Sequence, residues 1–227
     1  MDKVTDFGKN KLLERLYQLD TCAVSDALDS LQLIGVVTRL HPMWQCGKIA
    51  GRVVTVKLGP KGEVQSTRHL GTAAIMSASA GDVIVVENGG RLDVAGWGGL
   101  LSTAAKLKGI AGVIVDGACR DIDESREGDF PVFARTAVPT TARGRIVEQS
   151  FNEQITVENV AVTPGDYVLA DGSGIAFIPS SRAEEVITKA EAIADREREM
   201  AKAIMDGISI VDVMGLSYEK LLERKEE

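Results

Sequence analysis

Residues 80–117 read AGDVIVVENGGRLDVAGWGGLLSTAAKLKGIAGVIVDG. After the turn Ala80-Gly81-Asp82, residues 83–87 form a continuous apolar run closed by one glutamate, the pattern of a strand buried on both faces. It ends at Asn88-Gly89-Gly90, and a long loop is expected to follow. Residues 99–108 (GLLSTAAKLK) predict a short amphipathic helix stopped by Gly109, and residues 110–115 a second buried strand ending at Asp116-Gly117. A strand, helix, strand unit of this kind is almost always parallel with a right-handed crossover, so both strands end on one sheet edge. The fold class is therefore α/β, and residues 88–99 and 117–124 should face each other across that edge.

What those two segments carry suggests chemistry. The helix start Gly98-Gly99-Leu100-Leu101 offers free backbone N–H groups, and its glycines let a ligand approach closely, which makes an anion cradle. Opposite it, residues 116–124 read DGACRDIDE. Arg120 can hold a carboxylate or enolate oxygen through two parallel hydrogen bonds, and Asp121 can hold a divalent cation directly or through water. Together they would lower the energy of an oxyanion formed on a carbonyl substrate. Asp123 and Glu124 read as surface carboxylates, with assistance to a metal as the alternative. An Arg-Asp pair in an ordinary loop is a solvated ion pair or a turn cap; the end of a buried parallel strand singles this one out. Residues 96–101 (GWGGLL) also imitate a dinucleotide fingerprint, with Asp116 beyond. That reading fails because Leu101 stands at the third glycine and about ten residues separate Glu87 from the helix, where a tight turn is needed.

Around this unit, helical spacing over residues 11–33 predicts two helices, the second capped by Asp20 or Thr21. Residues 47–58 alternate as a strand, and residues 67–79 return to a helical pattern. Shorter strands are expected at 131–134 and 155–162, and a hairpin pairs 167–170 with 175–178 around Asp171-Gly172-Ser173-Gly174. Residues 181–206 form a long charged helix with an apolar seam. The expected organisation is one domain over 1–227, with 181–227 as a helical tail packing on the body or on a neighbouring subunit.

Composition narrows the function classes. A net charge of -7 repels nucleic acid and anionic membrane surfaces while leaving room for a local cationic site. No apolar run approaches the ~20 residues that span a bilayer, and the amino terminus lacks a signal-peptide core, so the cytoplasm is the expected location. Three cysteines, Cys22, Cys46 and Cys119, are odd in number and widely spaced, which reads as buried reduced thiols. With only His41 and His69, a metal should be held by oxygen, favouring Mg2+, Mn2+ or Ca2+.

At residues 96–124, GWGGLLSTAAKLKGIAGVIVDGACRDIDE, the chain resembles the RraA-like family, which includes 4-hydroxy-4-methyl-2-oxoglutarate aldolases and ribonuclease regulators. The likeness extends more loosely through Gly81-Asp82, Phe130-Pro131-Val132-Phe133, Pro164-Gly165-Asp166 and Ala170-Asp171-Gly172. It implies a swivelling β/β/α layered domain, like phosphohistidine domains, with a carboxy-terminal helix. It also implies assembly as a homotrimer or homohexamer with sites between subunits. By the same resemblance, Arg120 and Asp121 are catalytic, binding a pyruvyl group and, through water at Asp121, a Mg2+ or Mn2+ ion. Backbone groups of Leu100 and Leu101, beside Gly98 and Gly99, hold a substrate carboxylate. The implied activity is metal-dependent carbon–carbon lysis of a small 2-oxo acid, by retro-aldol cleavage or oxaloacetate decarboxylation through a pyruvate enolate. The chain departs from the pattern at Gly99, where many aldolases carry an acidic residue, and around residues 68–72, where an asparagine and a histidine have no match. Glu197 or Glu199 of a neighbouring subunit is the expected completing glutamate. A non-catalytic, ring-shaped regulator of a protein partner is the alternative; such a protein would tolerate Asp121→Asn, whereas an enzyme would not.

Overall fold

The computed structural model describes residues 10–62 and 69–215. Its first half comprises α1 (Lys11–Gln18), α2 (Thr21–Ser30), β1 (Val36–Val37), β2 (His41–Pro42), β3 (Ile49–Pro60), α3 (Thr72–Ser77), β4 (Val83–Ala95), α4 (Gly99–Leu107) and β5 (Gly112–Cys119). There follow α5 (Ile122–Glu127), β6 (Val132–Ala137), β7 (Ile146–Phe151), β8 (Ile155–Val157), β9 (Val160–Val162), β10 (Tyr167–Ala170), β11 (Ile175–Ile178), α6 (Ala183–Met205) and α7 (Ile210–Val213).

Strand β3 organises the molecule because it changes partners midway. Residues 49–52 pair antiparallel with β10, and residues 53–57 pair parallel with β4. One layer therefore runs β1-β11-β10-β3 and the other β3-β4-β5-β6-β2, with β7 antiparallel against the far half of β3. The two-residue period of the strands then sorts side chains between three apolar layers. Val83 and Val85 of β4, Ile114 of β5, and Val168, Ile175 and Phe177 of the other sheet meet in the middle, joined by Ile155 and Val162 of the β8–β9 hairpin. Ile84, Val86, Val113 and Val115 point the other way, against Ala74 and Ile75 of α3 and Leu101 and Ala105 of α4. Tyr167, Leu169, Ala176 and Ile178 cover α1, α2 and α6, where Leu16, Leu28 and Ile187 are fully buried and contribute about 2 kcal/mol apiece.

Local signals account for the boundaries. Asp20 caps α2, its side chain accepting Ala23 N–H at 2.8 Å. The leading half of α6 is pinned by Arg15 of α1, which donates to both oxygens of Glu191 (2.8 and 2.7 Å) and to Glu184 and Thr188. Behind the parallel strands, Asp116 is buried, with Oδ1 accepting Arg135 Nε at 2.6 Å and Oδ2 accepting Glu158 N at 3.0 Å. No helix among the described residues is long and apolar enough to cross a membrane.

Several expectations need correction. The loop expected after Asn88 is a continuation of β4 to Ala95: Gly89 and Gly90 adopt φ of +61° and +69°, letting the strand jog and rejoin β5 at Arg91 opposite Gly117 and Ala95 opposite Ala118. The single strand expected over 155–162 is a hairpin, turned at Glu158 with φ +53°. Helix α5 was not anticipated, because IDESRE buries only Ser125 and shows no apolar period. Nor were β7 and the two-residue strands β1 and β2. The helix expected over 67–79 is observed as α3; residues 67 and 68 lie outside the described residues, as does 216–227 of the expected tail. Of the cysteines only Cys119 is buried, while Cys22 is exposed and Cys46 half-buried.

Candidate active site

Beyond the paired strand ends, Gly96 N donates to Ala118 O (2.8 Å) and Arg120 N to Trp97 O (3.0 Å). These two bonds draw together the segments that a right-handed parallel crossover should bring to one edge. Asp121 adopts φ +57° and ψ +44°, a left-handed conformation that short polar residues tolerate. The turn directs its carboxylate back over the start of α4, where Oδ2 accepts Gly99 N–H at 3.0 Å. Arg120 Nε donates to Oδ1 at 3.0 Å and to Oδ2 at 3.1 Å. The two terminal amino groups of Arg120 have no partner among the described residues. With side chains 36% and 27% exposed, this ion pair adds at most about 1 kcal/mol to stability; its effect is to aim the guanidinium fork.

The glycine pair makes this crossing possible. A Cβ on Gly98 would stand 2.9 Å from Asp121 Oδ2 and 3.2 Å from Arg120 Cγ. A Cβ on Gly99 would overlap Glu124 Oε2 outright and lie 3.1 Å from Asp121 Cβ. Arg120, Asp121 and Glu124 thus lie across two residues that have no side chains. The anion cradle expected at residues 98–101 is correspondingly narrower. Gly99 N–H is taken by Asp121 and Leu101 N–H by Gly98 O at 3.1 Å, leaving Leu100 N–H without a partner among the described residues. The Leu101 side chain is buried in the core, whereas that of Leu100 is 87% exposed.

A buried hydrogen-bond chain supports the site from below. Trp97 Nε1 donates to Ser102 Oγ (3.0 Å), Ser102 and Ser125 share a hydroxyl contact of 2.9 Å, and Ser125 Oγ donates to Asp121 O (3.2 Å). This chain ties α4 to α5 and fixes the carbonyl beside the key carboxylate. None of the three residues was singled out from sequence; a hydroxyl on the inward face of each helix was the available sign. Cys119, one residue before Arg120, is a packing residue: its Sγ donates to Thr136 O at 3.4 Å, and burial pushes the thiol up to about 12.

Glu197 and Glu199 stand on α6, across the two sheets from α4 and α5, so neither joins Arg120 within one subunit. Burial, then the charges of Asp26 and Asp20, push the Glu197 carboxyl up. Two surface hollows, one along α6 and α7 and one lined by Lys61, His69, Arg143 and Glu148, include neither Arg120 nor Asp121. Arg120 and Asp121, both partly exposed, form a shelf at the sheet edge. No three His, Cys, Asp or Glu side chains among the described residues converge as direct metal ligands. The hard carboxylate oxygens of Asp121 are nevertheless donors that fit a Mg2+ or Mn2+ ion retaining most of its water.

Comparison with known proteins agrees with the architecture. An uncharacterized protein of Pseudomonas syringae pv. tomato, solved by crystallography, superposes with a TM-score of 0.81 at 29% identity, over 90% of this chain and 96% of that one. The protein DlpA of Legionella pneumophila is 30% identical over 88% of this chain, which spans only about a third (32%) of DlpA. A protein of Thermus thermophilus named 4-hydroxy-4-methyl-2-oxoglutarate aldolase is 34% identical over 58% of this chain and 76% of its own length. The family model described as Aldolase/RraA matches residues 21–177, a span that includes both sheets and the Arg120–Asp121 shelf, and the chain accordingly belongs to the RraA-like family.

Proposed function

We propose that the chain is a divalent-metal-dependent carbon–carbon lyase acting on small 2-oxo acids, cleaving a 4-hydroxy-2-oxo acid, decarboxylating oxaloacetate, or both. The observation that carries this reading is the Arg120 fork, aimed by Asp121, at the start of α4; among the described residues neither its terminal amino groups nor Leu100 N–H has a partner. The name of the Thermus relative supports the same class of reaction.

Arg120 grips the carboxylate or the 2-oxo oxygen of the substrate, and Leu100 N–H takes a second carboxylate oxygen. When the bond beyond C3 breaks, its electron pair moves toward the 2-oxo group, and a fixed arginine at that oxygen lowers the barrier by about 3 kcal/mol. A Mg2+ or Mn2+ ion held through water by Asp121 would add positive charge against the same developing oxyanion. Retro-aldol cleavage and decarboxylation converge on one pyruvate enolate, so one site serves both.

Assembly as a homotrimer or homohexamer belongs to this reading. Leu100 and Leu107 of α4 are 87% and 85% exposed, and Met76 of α3 is 75% exposed, an apolar face beside the shelf that a neighbouring subunit would cover. The test is pyruvate release from 4-hydroxy-4-methyl-2-oxoglutarate and from oxaloacetate, with Mg2+ or Mn2+ added and then chelated. Metal-dependent release from either acid is expected; release from neither would overturn the reading.

A further inference from the structure

Retro-aldol cleavage requires an acceptor for the proton of the substrate 4-hydroxyl, and neither Arg120 nor Asp121 is suited to that role. Resting on the lyase reading above, the geometry points to Glu124 as that acceptor. Both oxygens of Asp121 are already engaged by Arg120 and Gly99. Ser102 and Ser125 are buried and bonded to each other, and Cys119 is buried against Thr136. Glu124 differs from all of them. Its side chain is solvent-exposed and has no hydrogen-bond partner among the described residues. Its carboxylate fills the volume in which a side chain at position 99 would begin: a Cβ there would overlap Oε2 and come 2.9 Å from the carboxyl carbon, with Asp121 Cβ 3.1 Å from the same point. A carboxylate unpaired among the described residues thereby stands over the first turn of α4, where the helix dipole favours it, beside the group that aims Arg120. Glycine at 99 is what admits it.

The step balances without a further reactant. The hydroxyl proton passes to a Glu124 oxygen, and the O–H electron pair forms the new C4 carbonyl. The C3–C4 bond breaks, and its pair forms the pyruvate enolate steadied by Arg120. Return of the proton from Glu124 to C3 yields pyruvate and restores the carboxylate. Decarboxylation of oxaloacetate begins from an ionised carboxylate and releases CO2, and its enolate takes the C3 proton from solvent water, so it needs no such acceptor.

That difference supplies the test. Glu124→Gln, assayed with Mg2+ on both acids, should lose about 100-fold or more in kcat for aldol cleavage, the range of general-base contributions. Oxaloacetate decarboxylation should stay within about threefold of wild type, a split that lost folding would not produce, and thermal unfolding of the variant should match wild type. His69→Asn, which alters an exposed imidazole just ahead of α3, should leave both reactions intact. Glu124→Gln that cleaves the hydroxy acid normally, a parallel fall in both reactions, or a selective loss in His69→Asn instead would each overturn the assignment. Wild-type protein that releases pyruvate from neither acid would remove the lyase reading itself and this role with it, an outcome distinguishable because it precedes any variant.

Discussion

Gly99 and Asp121, 22 positions apart in sequence, are joined by one hydrogen bond of 3.0 Å from backbone N–H to Oδ2. The bond turns a metal-ligand candidate into the cap of α4, a helix with no side-chain cap of its own. Asp121→Asn preserves an oxygen acceptor for Gly99 while deleting the charge. Metal-stimulated pyruvate release should therefore fall about 100-fold or more, with little change in thermal unfolding. Unchanged turnover in the variant would exclude Asp121 from the chemistry.

Arg120 spends only Nε on Asp121, so its terminal fork is what a substrate would meet. Arg120→Lys keeps one positive charge and loses the planar pair of donors. The expected result is a fall in kcat/KM of roughly 100-fold, about 2.7 kcal/mol of lost transition-state binding, read from steady-state kinetics on either acid. Wild-type kinetics would make the arginine structural.

Asp116 and Arg135 form a pair whose side chains are 5% and 16% exposed, and the second Asp116 oxygen holds Glu158 N–H. Arg135→Met would leave that carboxylate with one donor in an apolar setting. A loss of about 3 kcal/mol is expected in urea unfolding, because removing one member of a buried pair strands the other. A midpoint equal to wild type would show that water reaches the pair and replaces the arginine.

Asp26 on α2 has its carboxyl pushed up, first by burial and then by Asp29 and Asp20. A carboxyl raised in the folded state stabilises the fold fully below its unfolded value, and that contribution is lost as pH rises through the raised folded value. Asp26→Asn removes the charge that opposes folding at neutral pH. The variant should melt higher than wild type near pH 7.5 and equally near pH 3, where the native carboxyl is protonated in both states. A shift of the same size at both pH values would mean that packing, not charge, is responsible.

The parallel unit was legible because β4 and β5 open with apolar runs that alternate between two buried faces and α4 carries its own stop at Gly109. Asp20 was legible as a cap for an equally local reason. The jog of β4 was not: Gly89-Gly90 in sequence signals a turn, and only pairing with Arg91 and Ala95 shows that the strand resumes. The same divide runs through the site. Topology alone put Arg120 and Asp121 opposite the glycine-opened helix. The left-handed turn at Asp121, the carboxylate of Glu124 over Gly99 and the buried chain of Trp97, Ser102 and Ser125 depend on side-chain directions between segments more than twenty residues apart, which no periodicity records.

One strand serving two sheets limits how this protein can be cut. Between Arg52 and Val53 the partner of β3 passes from β10 to β4, so each sheet borrows its border from the other. A fragment ending before β10 would retain every residue of the Arg120–Asp121 shelf, yet expose four residues of backbone in β3 as an unpaired edge open to pairing with other chains. Minimal versions of the site must therefore carry the β10–β11 hairpin, although no residue of that hairpin touches the chemistry.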